Sequence, residues 1–180
     1  MALKSTIYKA AISIADMERH YYQDHQLTIA KHPSENDKRM MLRLLAFAAC
    51  ADDGLEFCKG LSSDDEPALW QLDATGVINH WIELGIPEPK RLKKACAKAN
   101  QVSLFAYGNN ALTMWWQQHQ QLVEALPNLT ILQVQDDDLT ELADFAERNM
   151  ALSLSHQDGV WMLASEQRSI SLELTKLMPS

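Results

Sequence analysis

Cysteine is scarce and poorly spaced for metal binding. Cys50, Cys58 and Cys96 are the only three, and they form neither a CxxC pair nor a Cys/His zinc spacing. An odd, scattered set in mixed surroundings reads as reduced core thiols of a cytosolic protein. Glycine is equally sparse. The six glycines follow neither GxGxxG nor Walker spacing, which removes the loops that cradle nucleotide phosphates. No GxSxG elbow is present and no histidine stands at a recognisable offset from a cysteine, so nucleophilic catalysis has no support. His20, His25, His32, His80, His119 and His156 make no HExxH pattern. Long apolar runs are missing as well. Nothing approaches the roughly 20 residues of a membrane span. The first stretch, MALKSTIYKAAISIADMERH, lacks a signal-peptide core because Lys9 interrupts it. A cytoplasmic location is expected.

Positive charge is in deficit too. Sixteen lysines and arginines against 24 acids leave a net charge of −8, which opposes broad, nonspecific attraction to nucleic acid or anionic membrane. Any nucleic-acid contact has to come from a local patch. A chain of 180 residues can bury a sizeable core, and without a linker, repeat or low-complexity tract a single domain over residues 1–180 is expected.

What is present concentrates between Ser62 and Lys98. An acidic run leads into a strand at Ala68–Leu72, a turn at Asp73–Gly76, a second strand at Ile78–Leu84 and a basic helix. Asp-Ala-Thr-Gly suits a tight connection, and Trp70, Val77, Ile78, Trp81 and Ile82 favour strand. With Thr75-Gly76 at the tip, Trp70 opposes Trp81 and Ala68 opposes Glu83. Glu66, Ala68, Trp70, Trp81 and Glu83 then share a face, with Glu66 and Glu83 diagonal neighbours roughly 7–8 Å apart at the backbone. Two such carboxylates can hold a divalent cation. After Gly85-Ile-Pro-Glu-Pro, Pro89 suits a first helical turn. Lys90, Arg91, Lys93, Lys94 and Lys98 set positive charge beside the acids. Metal for an oxyanion and an ammonium for developing charge make a site for a phosphate ester. Exposed strand acids and a solvated charged helix are the competing reading.

Elsewhere, Thr6–Ala15 and Gln26–Lys31 read as strands. Glu35 to about Asp52 reads as a helix, with Ser34 as N-cap and Asp37 at the capping-box offset. Its inward stripe is Met41, Leu44, Leu45 and Ala48, widened by Met40, Phe47 and Ala51. Arg39 and Arg43, four apart, can reach one side. Leu55–Lys59 is a short strand. Val102–Tyr107, a helix over Ala111–Ala125, Leu129–Val134 and a helix over Asp138–Asn149 follow. Asp136, Asp137 and Asp138 suit the helix macrodipole better than a metal. Ala151–Ser155, Val160–Ala164 and Ile170–Leu174 read as a C-terminal β-meander. The fold class is α/β, a single compact domain with a mixed sheet flanked by helices.

Several segments resemble the YaeQ family of small bacterial proteins: HPSE at 32–35, MMLRLLAFA at 40–48, DEPALW at 65–70, WIELG at 81–85, PKRLKKAC at 89–96 and QDGVWML at 157–163. The resemblance implies a compact fold built around a variation of the PD-(D/E)XK nuclease motif, whose superfamily binds magnesium to cleave phosphodiesters. By that resemblance Glu83 matches the glutamate of the (D/E)xK element, Glu66 stands in for the preceding aspartate, and Glu35 fits the acid of the first core helix. Gly85 occupies the motif's lysine position. Lys93, then Lys94, would compensate from the next helix, with Arg39 helping. The implied protein is a Mg²⁺-dependent phosphodiesterase, Mn²⁺ substituting, with Glu66 and Glu83 as metal ligands. The alternative is a non-catalytic module reading nucleic acid or protein, in which Lys90–Lys98 attracts the partner and Trp70 and Trp81 stack on a base.

Overall fold

Alternation dictates how the chain begins. Ala10, Ile12, Ile14 and Asp16 are buried while Lys9 and Ser13 face solvent, the period of two that a half-buried strand requires. The computed structural model describes residues 4–58 and 65–179. In chain order the elements are β1 (Thr6–Asp16), β2 (Tyr21–Lys31), α1 (Asp37–Cys50), β3 (Leu55–Phe57), β4 (Leu69–Leu72), β5 (Ile78–Leu84), α2 (Pro89–Lys98), β6 (Ala99–Ala106), α3 (Asn109–Glu124), β7 (Leu129–Gln133), α4 (Asp136–Ala143), β8 (Asn149–Gln157), β9 (Val160–Ala164), β10 (Ser169–Glu173) and β11 (Thr175–Met178). The class is α/β with mixed sheets flanked by helices. Two units are distinguished: Met1–Ala51 with Asp137–Leu174, and Asp52–Asp136 with Thr175–Ser180.

In the first unit the strand order is β10-β9-β8-β1-β2. β1 runs parallel to β8, and the other neighbours are antiparallel. β8, β9 and β10 form the expected meander. In α1, every residue from Met40 to Ala48 is buried, Arg43 included, as a helix apolar over most of its circumference must be. Its N-cap is Asn36, whose side chain accepts from Arg39 N at 2.9 Å, and not Ser34. Ser34 Oγ instead bonds His32 Nδ1 at 2.6 Å, and Glu35 N closes a turn on His32 O at 2.9 Å. The His-Pro-Ser turn thus absorbs the serine hydroxyl and moves the helix start two residues on. At the other end Arg19 donates to Ala51 O (3.0 Å) and Ala48 O (3.1 Å), supplying the donors that terminal carbonyls lack.

α4 stops at Ala143 and does not reach Asn149. Asp144, Phe145 and Ala146 bond back three residues, the tightening typical of a helix end. Phe145 nonetheless stays buried.

In the second unit the order is β11-β7-β6-β5-β4-β3, with β5, β6 and β7 mutually parallel. Parallel neighbours need crossover helices; α2 and α3 are these. The core includes Trp81, Leu92, Val102, Leu104, Leu112 and Ile131. β4 and β5 form the hairpin in the expected register, Leu69↔Ile82 and Trp70↔Trp81. The turn is held by Asp73, whose Oδ1 accepts from Thr75 N (2.8 Å), Thr75 Oγ1 (2.6 Å) and Val77 N (2.9 Å). β11, a strand beyond those expected from the sequence, pairs antiparallel with β7. Lys59 and the acids' leading residues Ser62–Asp64 lie outside the described residues. Among the described residues no helix is long and apolar enough to cross a membrane.

Candidate functional site

Glu83 is the focus of the second unit's charged cluster. It shares a strand face with Trp81 two residues earlier, and only 6% of its surface is exposed. A buried carboxylate needs strong donors: Glu83 Oε1 accepts from Trp81 Nε1 at 2.8 Å and Arg91 Nε at 3.0 Å, and Arg91 Nη2 is ion-paired to it at 2.8 Å. Arg91 Nη2 also donates to the main-chain carbonyl of Glu66 at 2.9 Å, and its guanidinium lies 5.9 Å from the Trp81 ring centre. Arg91 therefore ties α2 to both strands of the hairpin.

The remaining hairpin residues sit around this knot. Glu66 is half-buried and precedes β4, outside the ladder, although Ala68 N still bonds Ile82 O at 3.1 Å. Trp70 meets Trp81 edge to face, with ring centres 6.4 Å apart, and donates to Glu56 Oε1 at 3.2 Å. Trp81 is 2% exposed. Burial pushes the Cys58 thiol up to about 12, and Glu66, Glu56 and Glu83 act in the same direction. Among the described residues no three His, Cys, Asp or Glu side chains are disposed to hold a metal ion.

Gly85 has φ +94°, a conformation open to glycine and strained for lysine. Its N–H bonds Phe105 O at 2.9 Å, and Trp115 Nε1 holds Pro87 O at 2.9 Å. The loop leading to α2 is thereby fixed. On α2, Leu92 and Ala95 are buried, while Lys93 and Lys94 are exposed. Lys94, Lys90, Arg91 and Glu88 line a cavity of about 350 Å³. The cation that reaches Glu83 is thus Arg91, one of the basic residues expected beside the acids, and not Lys93 or Lys94. Lys93, two residues on, is turned by roughly 200° around the helix. The signal was available: Pro89 at the helix start and the Leu92/Ala95 inward face set Arg91 on the flank beside Ala95.

Glu35 and Arg39 belong to the first unit. Glu35 is 5% exposed; its Oε2 accepts from Arg39 Nη1 and its Oε1 from Arg43 Nη2, each at 2.5 Å. Arg43, itself buried, also donates to Ala30 O at 3.0 Å. Burial lowers the Arg43 pKa from its ordinary value, with Glu35 opposing. Both carboxylate oxygens of Glu35 are engaged by guanidinium groups. Nothing local in the sequence marks Arg43 for burial against Glu35, since an arginine on an apolar helix ordinarily sits in solvent.

The comparisons agree with one another. The YaeQ protein family matches residues 1–174. The chain is 46% identical over 175 residues to a protein named "Uncharacterized protein YaeQ" from Salmonella typhi, covering 97% of each chain. It is 45% identical, with the same coverage, to the protein of that name from Escherichia coli K12. The crystal structure of YaeQ protein from Xanthomonas axonopodis pv. citri matches with a TM-score of 0.94 at 39% identity, covering 96% of this chain and 98% of that one. The YaeQ protein from Pseudomonas syringae matches at 0.92 and 34% identity, covering 98% and 97%. By sequence and by fold, the chain belongs to the YaeQ family.

Proposed function

We propose that this chain is a non-catalytic binding module that docks a nucleic-acid phosphate backbone on the exposed basic face of α2. The observation that carries this reading is the cavity lined by Lys90, Arg91, Lys94 and Glu88. Among the described residues none of Lys90, Lys93, Lys94 and Lys98 is ion-paired, so their charge is available to phosphate oxygens. Arg91 is held by Glu83 and gives the face its rigidity. Phosphate contacts position a nucleic acid without reading its sequence, and they make binding steeply salt-dependent.

The phosphodiesterase reading places Mg²⁺ or Mn²⁺ between Glu66 and Glu83. The geometry supports it less, because a cation at Glu83 Oε1 would have to displace Arg91 and Trp81. The test is fluorescence anisotropy with labelled single- and double-stranded oligonucleotides, with and without Mg²⁺. Binding that weakens at least about tenfold in a Lys90→Glu/Lys94→Glu variant and falls with rising salt is expected. Binding equal in the variant would refute the docking face. Cleavage that disappears in Glu83→Gln would restore the metal-dependent reading.

A further inference from the structure

We infer that β2 is the contact edge of a homodimer, in which two copies of this chain pair their β2 strands antiparallel about a twofold axis through Gln26. The inference concerns the first unit and does not depend on the docking face of α2.

Four strands end the two sheets: β10 and β2 in one, β11 and β3 in the other. Three of them are blunted. β3 has three residues, β11 has four with a register irregularity, and β10 has five. Shortness and bulges are ordinary ways of closing a sheet edge to further pairing. β2 has neither. It runs eleven residues, Tyr21–Lys31, without proline or glycine, and its ladder with β1 continues unbroken from Asp16↔Tyr21 to Thr6↔Lys31.

The direction of its unused backbone groups follows from β1. Lys9 N bonds Arg148 O, the residue before β8, and Met17 N bonds His156 O in β8. Odd-numbered residues of β1 therefore point their main-chain groups toward β8, and even-numbered ones toward β2, since the direction alternates along a strand. The even residues of β1 oppose odd residues of β2, so Tyr22, Asp24, Gln26, Thr28 and Ala30 turn their N–H and C=O outward. Arg43 agrees: it takes Ala30 O from outside the ladder. Among the described residues no partner serves the backbone of Tyr22, Asp24, Gln26 or Thr28.

A second copy fits this edge by its own sequence. Antiparallel pairing about Gln26 is the one register in which all eleven residues overlap. It sets outward residues against outward residues: Gln26 against itself and Asp24 against Thr28, with Tyr22 meeting Ala30 only at the Ala30 N–H, because Ala30 O stays with Arg43. No like charges meet, and Asp24 faces a hydroxyl that can donate to it. The side chains of Tyr22, Asp24, Gln26 and Thr28 are exposed, so nothing in the core has to move.

The test is sedimentation equilibrium on the whole chain and two variants, with thermal melts to verify folding. Wild type is expected to be a dimer. Thr28→Asp opposes an aspartate to Asp24 of the second copy, twice per interface, and should weaken the dimer at least about tenfold. Asp24→Lys combined with Thr28→Asp swaps in an attractive pair and should recover it. A wild type that stays monomeric, a dimer indifferent to Thr28→Asp, or a double variant that fails to recover would each overturn the proposal.

Discussion

Arg91 is worth more to stability than its position on a charged helix suggests. Removing one partner of a buried ion pair leaves the other without compensation, typically a loss of several kcal/mol. The Arg91 side chain is 26% exposed against 9% for Glu83, so solvent screening reduces the effect. Arg91→Ala is expected to destabilise by about 2–3 kcal/mol. Lys93→Ala, at an exposed position, should change stability by less than about 0.5 kcal/mol. Urea denaturation of both variants decides it; equal losses would mean that Arg91 does not anchor the hairpin. The thiols make a second residue-level case. Burial pushes Cys50 and Cys58 up to about 12 and Cys96 up to about 11. The reactive thiolate is thus scarce near neutrality. Iodoacetamide at pH 7.5 should label the native protein far more slowly than the urea-unfolded chain, and fast native labelling would contradict the burial.

At the scale of elements, Asp16 and Arg19 show how a turn governs a helix it does not adjoin in sequence. Burial alone would raise the Asp16 pKa, but hydrogen bonds from the Arg19 side chain and backbone and from His156 outweigh it and hold the carboxyl below its ordinary value. Asp16 Oδ2 holds Arg19 Nε at 2.7 Å, and Arg19 in turn caps α1. A carboxyl with a depressed folded pKa contributes stability fully present above its unfolded value, here 3.8, and lost as pH falls through the folded one. Asp16→Asn should therefore lower stability at pH 7 and flatten the decline below about pH 4 in denaturant titrations. A decline as steep as that of wild type would show that Asp16 is not its source. The same elements mark what a sequence reveals. The β4–β5 register was legible because Asp73, Thr75 and Gly76 leave few ways to close the turn. The α1 cap was not, because Ser34 and Asn36 are both good caps, and the His32 ring that takes Ser34 gives no local signal. The candidate acids were legible as residues. The engagement of Glu83 by Arg91 and of Glu35 by Arg43 was not, since an eight-residue separation across a proline loop or into a buried helix gives no local signal; only Arg39, four residues from Glu35, stands at ordinary helical spacing.

At the scale of the whole chain, neither unit is a continuous segment. The chain leaves the first unit after Ala51, returns at Asp137 and leaves again at Thr175, so β11 closes the sheet of the second unit from far along the sequence. β11 lies along β7 and carries Met178, which is 4% exposed within that unit's apolar core. Deleting residues 175–180 removes this burial together with the ladder that covers β7. The loss should reach about 3 kcal/mol, since emptying one large buried side chain alone costs about that much. It should also fall unevenly. Hydrogen exchange is expected to quicken in β6 and β7, while β1 and β8, whose five-stranded sheet keeps every member, hold their protection. Uniform loss in both sheets would show instead that the two units open together. Unchanged protection of β7 would show that β11 adds little to the sheet it closes.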